Sequence, residues 1–170
     1  ALQLIKEKRL KGIVFLGGSF SHQEDKLQEI KIPFVLSTIA IAEGVDKTLY
    51  SSVSVDDINE SKKIVDFLCE NGHEKIAILA YESDDRSISR LRVKGYYEAL
   101  NSRNISVNEN LIRYTYDNLN AYTMENGYNL MKELLEQEED FTAVYAISDS
   151  MAVGACKAIL EYGKKIPDDY

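Results

Sequence analysis

The sequence predicts an α/β fold, in which helices cover both faces of parallel β-sheets. Short apolar runs rich in β-branched and aromatic residues alternate along the chain with longer amphipathic stretches of helical period. Such alternation is typical of right-handed β-α-β crossovers, which place helices on the faces of a parallel sheet. The length of 170 residues, with 45% hydrophobic and 28% charged side chains, indicates one domain or two small lobes.

The first third of the chain predicts three strands and one short helix. The strands are expected at residues 12–16, 33–36 and 51–55, the last either a true strand or a lobe-crossing segment. A polar helix is expected at residues 22–30, with Leu27 and Ile30 facing inward.

The rest of the chain repeats a strand–helix unit. The clearest helix starts with Asp57 as its cap, and its buried stripe contains Ile64, Val65, Leu68 and Cys69 before Gly72 ends it. Further strands are expected at residues 75–80, 111–116 and 143–147. Further helices are expected at 88–103, 124–135 (with Met124 on its inward face) and 151–162.

Composition restricts the classes of partner and compartment. The formal net charge of −8 predicts a surface that repels phosphate backbones, so this chain is not expected to bind nucleic acid by itself. No apolar run reaches the about 18 residues of a membrane span. Cys69 and Cys156 fall in predicted helix interiors as small hydrophobes and form no metal or disulfide pattern, which favours the cytoplasm.

Enzyme signatures do not appear in the sequence. It contains no phosphate-binding loop, no nucleophile elbow and no HExxH pair, and two histidines give few options for a catalytic triad. Asp84 and Asp85 lack a third ligand at a spacing suited to a metal ion. We therefore expect a protein that is not an enzyme and needs no cofactor or metal.

Polar residues follow the predicted strands at the edge where open parallel sheets bind ligands. They include Asp56, Ser148 and Asp149, although such residues are also ordinary loop and cap residues. Arginines at positions 86, 90 and 92 fall just before and inside the first turns of the helix after the central strand, and Arg86 and Arg92 are close enough to reach one ligand. Alternatively, these arginines pair on the surface with the acidic residues at positions 82, 84 and 85.

Several motifs, in order along nearly the whole chain, resemble those of LacI/GalR transcriptional regulators. VSVDD at 53–57 and GHEKIA at 72–77 resemble the family's V-x-V-D-N and GH-x-x-I-A. RLRVKGYYEAL at 90–100 resembles R-x-x-G-[FY]-x-x-A-L, and Gly127-Tyr128 with Leu134-Leu135 resembles G-Y-x-x-x-x-x-L-L. Residues 142–155 and 163–169 are similar to T-A-[IV]-[FV]…[NS]-D-x-M-A-x-G-A and G-x-x-[IV]-P-x-D.

The resemblance implies the effector-binding core of such a regulator, with a two-lobed fold of periplasmic-binding-protein type. Residues 1–55 would form part of the N-terminal lobe, and residues 56–170 the C-terminal lobe without its last strands. A sugar, sugar phosphate or nucleobase would bind between the lobes and change affinity for operator DNA. DNA would be bound as a homodimer, through a helix-turn-helix that this chain lacks.

Family binding positions map onto six residues of this chain. By this resemblance Arg92 is the ligand-clamping arginine, Asp56 the lobe-crossing aspartate and Tyr122 an aromatic that stacks on the effector. Arg86 corresponds to a second arginine in some members, and Ser148, before Asp149, replaces the family's usual asparagine.

An extracytoplasmic sugar-binding protein of a transporter is the alternative interpretation, since it would share the fold and the cleft. It would require an export signal, and the two interior thiols weigh against it. The helix tail at residues 1–9 and the strand entry at 167–170 lead us to expect that the sequence is part of a longer protein.

Overall fold

The computed structural model divides the chain into two compact units, Ala1–Asp56 and Asp57–Tyr170. Each unit is built around its own parallel sheet. The structure describes residues 2–17, 19–20, 27–38, 40–41, 46–81, 88–115 and 121–170.

Besides a 3₁₀ helix at Lys47–Leu49, one α-helix and five short strands of the first unit lie wholly among the described residues. They are α1 (Leu2–Lys8), β1 (Ile13–Leu16), β2 (Ser19–Phe20), β3 (Phe34–Ser37), β4 (Ala40–Ile41) and β5 (Ser51–Val53). β3 lies between β1 and β5 in a parallel sheet, and β2 pairs in parallel with β4.

The described core of the first unit is small. Leu27, Phe34 and Leu36 are buried, and Ile13 and Ile30 are among the partly buried side chains packed on them. This confirms the three predicted strands and the inward position of Leu27 and Ile30. Residues 21–26 of the predicted helix lie outside the described residues. The strands β2 and β4 were not predicted, because two residues are too few to show a periodicity.

The second unit alternates helices and strands as predicted. Its elements are α2 (Asp57–Glu70), β6 (Ile76–Tyr81), α3 (Ile88–Ser102), β7 (Ile112–Thr115), α4 (Met124–Glu136), β8 (Ala143–Ala146) and α5 (Asp149–Glu161). All three strands are parallel, and β6 lies in the middle, between β7 and β8. Residues 76–80 of β6 are at most 1% exposed, as expected for a central strand covered on both faces.

The order of the strands indicates where this unit is expected to bind a ligand. The chain crosses from β6 to β7 in one direction and from β7 over to β8 in the other. Right-handed crossovers therefore place α3 and α4 on opposite faces of the sheet. Since α2 packs on α3 and α5 packs on α4, each pair of helices covers one face of the sheet. The chain therefore runs from β6 into a helix on one face and from β8 into a helix on the other. A crevice is expected where such connections diverge, beyond the carboxyl ends of the strands.

Three glycines allow the helices of each pair to approach closely. A Cβ atom at Gly95 in α3 would lie 2.3 Å from the carbonyl oxygen of Ile58 in α2. One at Gly127 in α4 would lie 2.1 Å from the carbonyl oxygen of Met151, and one at Gly154 in α5 would lie 1.9 Å from the backbone of α4. Larger residues would force the paired helices apart.

Some side chains expected in the core are exposed. Ile64 and Met124 are exposed, whereas the sequence placed them on buried faces, and Cys156, expected to act as a small hydrophobe inside a helix, is exposed too. The apolar stripe of each helix is wider than the surface that the neighbouring elements cover, so its edge residues remain outside. Asp57 was predicted to cap α2, but it is the first residue of that helix.

Candidate functional site

The candidate site lies where the structure brings three elements of the second unit together. Tyr81 ends β6, Ile147 and Ser148 connect β8 to α5, and Arg92 reaches this edge from α3. The side chain of Arg92 bonds to Asp57 at the start of α2. These residues lie at the carboxyl ends of β6 and β8, where the topology predicts a crevice.

The guanidinium of Arg92 is held by two partners. Its Nε donates a hydrogen bond to Oδ1 of Asp57 at 2.8 Å, and its Nη1 donates to the carbonyl oxygen of Ile147. The side chain of Asp57 is 7% exposed and that of Arg92 is 31% exposed. The carboxylate of the pair is therefore buried while the guanidinium is partly exposed, and a charge-assisted bond of this kind fixes the orientation of the guanidinium.

Buried polar groups hold this part of α3 in place. The Oγ of Ser61 in α2 donates to the carbonyl oxygen of Arg92 at 2.5 Å, and Ser61 is buried. Burial raises the pKa of Tyr145 in β8, while a hydrogen bond with Ser61 and the positive charge of Arg92 lower it. The arginine thus belongs to a polar cluster formed by α2, α3 and β8, together with Asp57.

Two tyrosines provide an aromatic surface beside the arginine. The rings of Tyr81 and Tyr122 meet edge to face, with centroids 6.0 Å apart. Ser89 fixes the end of β6, since its Oγ donates to the carbonyl oxygen of Tyr81 at 2.6 Å and accepts from its N–H at 3.0 Å. Tyr122 is 40% exposed, and burial raises its pKa while the charge of Arg92 opposes that shift.

The loop after β8 leads directly into α5. Ser148 is the N-cap of this helix, and its Oγ accepts a hydrogen bond from the N–H of Met151 at 3.3 Å. Asp149 follows as the first residue of α5 and is exposed. Both roles are ordinary at a helix start, where a hydroxyl caps free N–H groups and an acidic side chain favours the helix dipole.

Four of the six predicted site residues lie in the described part of the second unit, namely Arg92, Tyr122, Ser148 and Asp149. Asp56 is the last residue of the first unit and is exposed. Arg86 falls outside the described residues. The assignment of these six residues to ligand binding stays a prediction.

Asp57 is the site residue that sequence reasoning missed. Neither sequence alternative for the arginines included it, because 35 residues separate it from Arg92. The sequence pattern around Asp57 is that of a helix cap, and it gives no indication that Asp57 pairs with Arg92. Only the packing of α2 on α3, which Gly95 permits, brings the two side chains together.

Two other features are absent from the described residues, namely a metal-binding cluster and a membrane-spanning helix. Among these residues, no three or more His, Cys, Asp or Glu side chains cluster so as to hold a metal ion. Within the same ranges, no helix is both long and apolar enough to cross a membrane.

Comparison with known proteins identifies relatives along nearly the whole chain. Residues 65–170 match the family described as periplasmic binding protein-like domain. The HTH-type transcriptional regulator MalR of Clostridium butyricum is 36% identical over 97% of this chain and 48% of its own length. The HTH-type transcriptional regulator CelR of Thermobifida fusca is 30% identical over 87% of this chain and 42% of its own length. The chain spans about half the length of the curated relatives that it matches.

Solved structures agree with the sequence matches. A sugar-binding LacI-family regulator from Escherichia coli, in complex with phosphate, superposes with a TM-score of 0.79 at 28% identity, over 99% of this chain and 58% of that one. A CelR–cellobiose complex superposes with a TM-score of 0.76 at 27% identity, over 99% of this chain and 49% of that one. The predicted fold is therefore confirmed, and the chain belongs to the periplasmic-binding-protein-like domain family, in the form carried by LacI-family transcriptional regulators.

Proposed function

We propose that this chain is the effector-binding core of a transcriptional regulator and binds a sugar or sugar derivative beside Arg92. In the whole protein, effector binding would change the affinity of a homodimer for operator DNA in the cytoplasm. The observation that carries the proposal is the position of Arg92. Its guanidinium is fixed by Asp57 and Ile147 at the carboxyl ends of β6 and β8, next to Tyr81 and Tyr122.

The chemistry of this arrangement suits a small polyhydroxylated ligand. Arginine carries five N–H groups, and the contacts among the described residues use two of them on Arg92. The N–H groups of Arg92 without a partner among the described residues can donate to ligand oxygens, and the partly exposed ring of Tyr122 offers an apolar face to a sugar ring. A few polar groups beside an aromatic wall are typical of small-molecule sites.

Named relatives support the class of ligand and the regulatory role. One structural neighbour is a CelR–cellobiose complex, and another is a sugar-binding regulator with bound phosphate. The curated relatives MalR and CelR are transcriptional regulators. They support a regulator that is not an enzyme, and they do not support the transporter-protein alternative.

The function of Arg92 can be tested with a matched pair of variants in the full natural protein. Arg103 is a good control, because its Nε also donates to an α2 aspartate, Asp66, at 2.8 Å, and its exposure is 32% against 31% for Arg92. Calorimetry with cellobiose, maltose and ribose should detect binding of at least one sugar. Arg92→Ala should weaken that binding by about tenfold to a hundredfold, since hydrogen bonds to charged groups are lost.

Arg103→Ala should leave the affinity within about twofold, since surface changes away from a site have small effects. Equal losses in the two variants would show a general effect of breaking a helix–helix ion pair. Unchanged sugar binding in Arg92→Ala would remove Arg92 from the site.

A further inference from the structure

We infer that Asp57 is the residue that sets the charge selectivity of this site, so that it favours an uncharged polyhydroxylated ligand over a phosphorylated or carboxylated one. The inference rests on the proposed function, because it concerns the ligand of the same site. It is carried by two local features that bind anions in other proteins, an arginine and a helix N-terminus, both of which this chain neutralises with its own groups.

The first feature is the guanidinium of Arg92. A free guanidinium would attract a phosphate or carboxylate strongly and bind it through two parallel hydrogen bonds. Here Oδ1 of Asp57 lies 2.8 Å from Nε, and the carboxylate is 7% exposed. Opposite charges at this distance, here with the carboxylate shielded from water, largely cancel at the position of a third group. The pair therefore presents directed N–H donors with little net charge.

The second feature is the start of α5. Helix N-termini attract anions through free N–H groups and the helix dipole. In this helix the hydroxyl of Ser148 already accepts from the N–H of Met151, and Asp149 adds a negative charge to the first turn. An incoming phosphate would meet a capped helix end and a carboxylate. A sugar hydroxyl would meet groups that can still donate or accept hydrogen bonds.

The described surface beside Arg92 also includes two aromatic rings. Tyr81 and Tyr122 present ring edges and faces, and burial raises the pKa of Tyr122, so its phenol stays neutral at physiological pH. Such surfaces contact the apolar face of a sugar ring and give no advantage to an anion. The two neutralised features and the aromatic wall thus favour the same class of ligand.

Asp57 also stands where the family motif quoted above has asparagine, which makes the change Asp57→Asn informative. Asparagine has nearly the shape of aspartate, and its carbonyl oxygen can still accept from Nε of Arg92. The variant therefore removes one negative charge and keeps the hydrogen bond. Asp66→Asn is the matched control, because Asp66 forms the equivalent bond to Arg103 at the same 2.8 Å.

The test is calorimetric titration of the full natural protein and its variants with inorganic phosphate, and separately with cellobiose, maltose and ribose. Asp57→Asn should bind phosphate at least about tenfold more tightly than the unmodified protein, because the positive charge of Arg92 is no longer cancelled by a carboxylate. Affinity for any bound sugar should change less than about threefold, because the hydrogen-bond donors are retained. Asp66→Asn should bind phosphate like the unmodified protein. Arg92→Gln added to Asp57→Asn should abolish the gain, and Arg103→Gln added instead should leave it in place.

Three results would overturn the inference. They are phosphate binding by the unmodified protein as tight as by Asp57→Asn, an equal gain in Asp66→Asn, and a gain that survives Arg92→Gln. The proposed function fails by a different result, namely that none of the three sugars binds. The phosphate comparison still decides the role of Asp57 in that case, since it needs no sugar.

Discussion

The α2–α3 helix pair carries two arginine–aspartate ion pairs, one at each end, that are alike in geometry and different in surroundings. Arg92 bonds to Asp57 and Arg103 bonds to Asp66, each through Nε and Oδ1 at 2.8 Å. The two arginines are nearly equally exposed, at 31% and 32%. Their bond lengths and exposure therefore do not distinguish them.

The partners distinguish the two pairs. Asp57 is 7% exposed against 26% for Asp66. Arg92 also donates to a main-chain carbonyl beyond β8, whereas Arg103 also contacts the exposed carboxylate of Glu70 at 3.1 Å. The Arg92 pair thus lies beside the carboxyl ends of β6 and β8, where a ligand is expected to bind, and the Arg103 pair lies on an acidic surface. The Arg92 pair is a candidate for ligand binding because of its position at the carboxyl ends of the strands, not because of its own geometry.

The largest effect should come from separating the two helices. Gly95 lies in α3 between the two arginines, and a Cβ atom there would lie 2.3 Å from the carbonyl oxygen of Ile58 and 2.7 Å from Cβ of Ser61. Gly95→Ala should lower the free energy of unfolding by about 3 kcal/mol, because overpacking moves the backbones apart. Chemical denaturation measures this, with the neighbouring Lys94→Ala as the control. A loss equal to that of the control would show that the helices can adjust.

An intermediate effect should come from breaking each pair. Arg92→Ala leaves the buried carboxylate of Asp57 without its partner and should lower the free energy of unfolding by about 2 kcal/mol. Arg103→Ala should lower the free energy of unfolding clearly less, because the carboxylates of Asp66 and Glu70 are more exposed and can be hydrated once Arg103 is removed. Added salt should reduce the effect of Arg103→Ala and leave that of Arg92→Ala nearly unchanged, since screening acts on exposed charges. Denaturation at low and high NaCl checks both, and equal salt dependence would contradict the contrast.

The smallest effect should appear in the titration of one phenol. Burial raises the pKa of Tyr145, and the charge of Arg92 partly opposes the shift. Arg92→Gln should therefore raise this pKa further, whereas Arg103→Gln should not move it. The neutral phenol contributes stability below about pH 10, and this is lost as the pH rises through the higher folded-state pKa. Carbon-13 NMR of labelled tyrosine measures the pKa, and an unchanged value in Arg92→Gln would place the guanidinium farther from Tyr145.

The elements with a clear period could be predicted from the sequence. The helices α2 to α5 and the strand β6 agree with their predicted positions, because each combines an apolar stripe or run with a stop signal. Strands β2 and β4 could not be predicted, since their pairing depends on neighbours in space rather than on local pattern. Whether a residue at the edge of a helical apolar stripe, such as Ile64, is exposed also depends on how much of the helix surface its neighbours cover.

The candidate site could be predicted only in part. Arg92 was identified by its residue type and by the motif around it, and its place at the carboxyl ends of the strands follows from the alternation of strands and helices. Its partners could not be found in this way. Asp57 is 35 residues away, and the carbonyl oxygen of Ile147 is 55 residues away and carries no side-chain signal. Both contacts depend on how helices and loops pack in space, which the local sequence pattern around Arg92 does not show.

The close approach of Gly127 and Gly154 has a mechanical consequence. The backbones of α4 and α5 meet so closely at these two points that sliding one helix past the other would require lifting them apart. Interfaces packed in this way shift as whole bodies rather than deform gradually. Because Ser148 caps α5, a displacement of Ser148 is expected to shift α5, about 20 Å long for its 13 residues, together with α4 as one body.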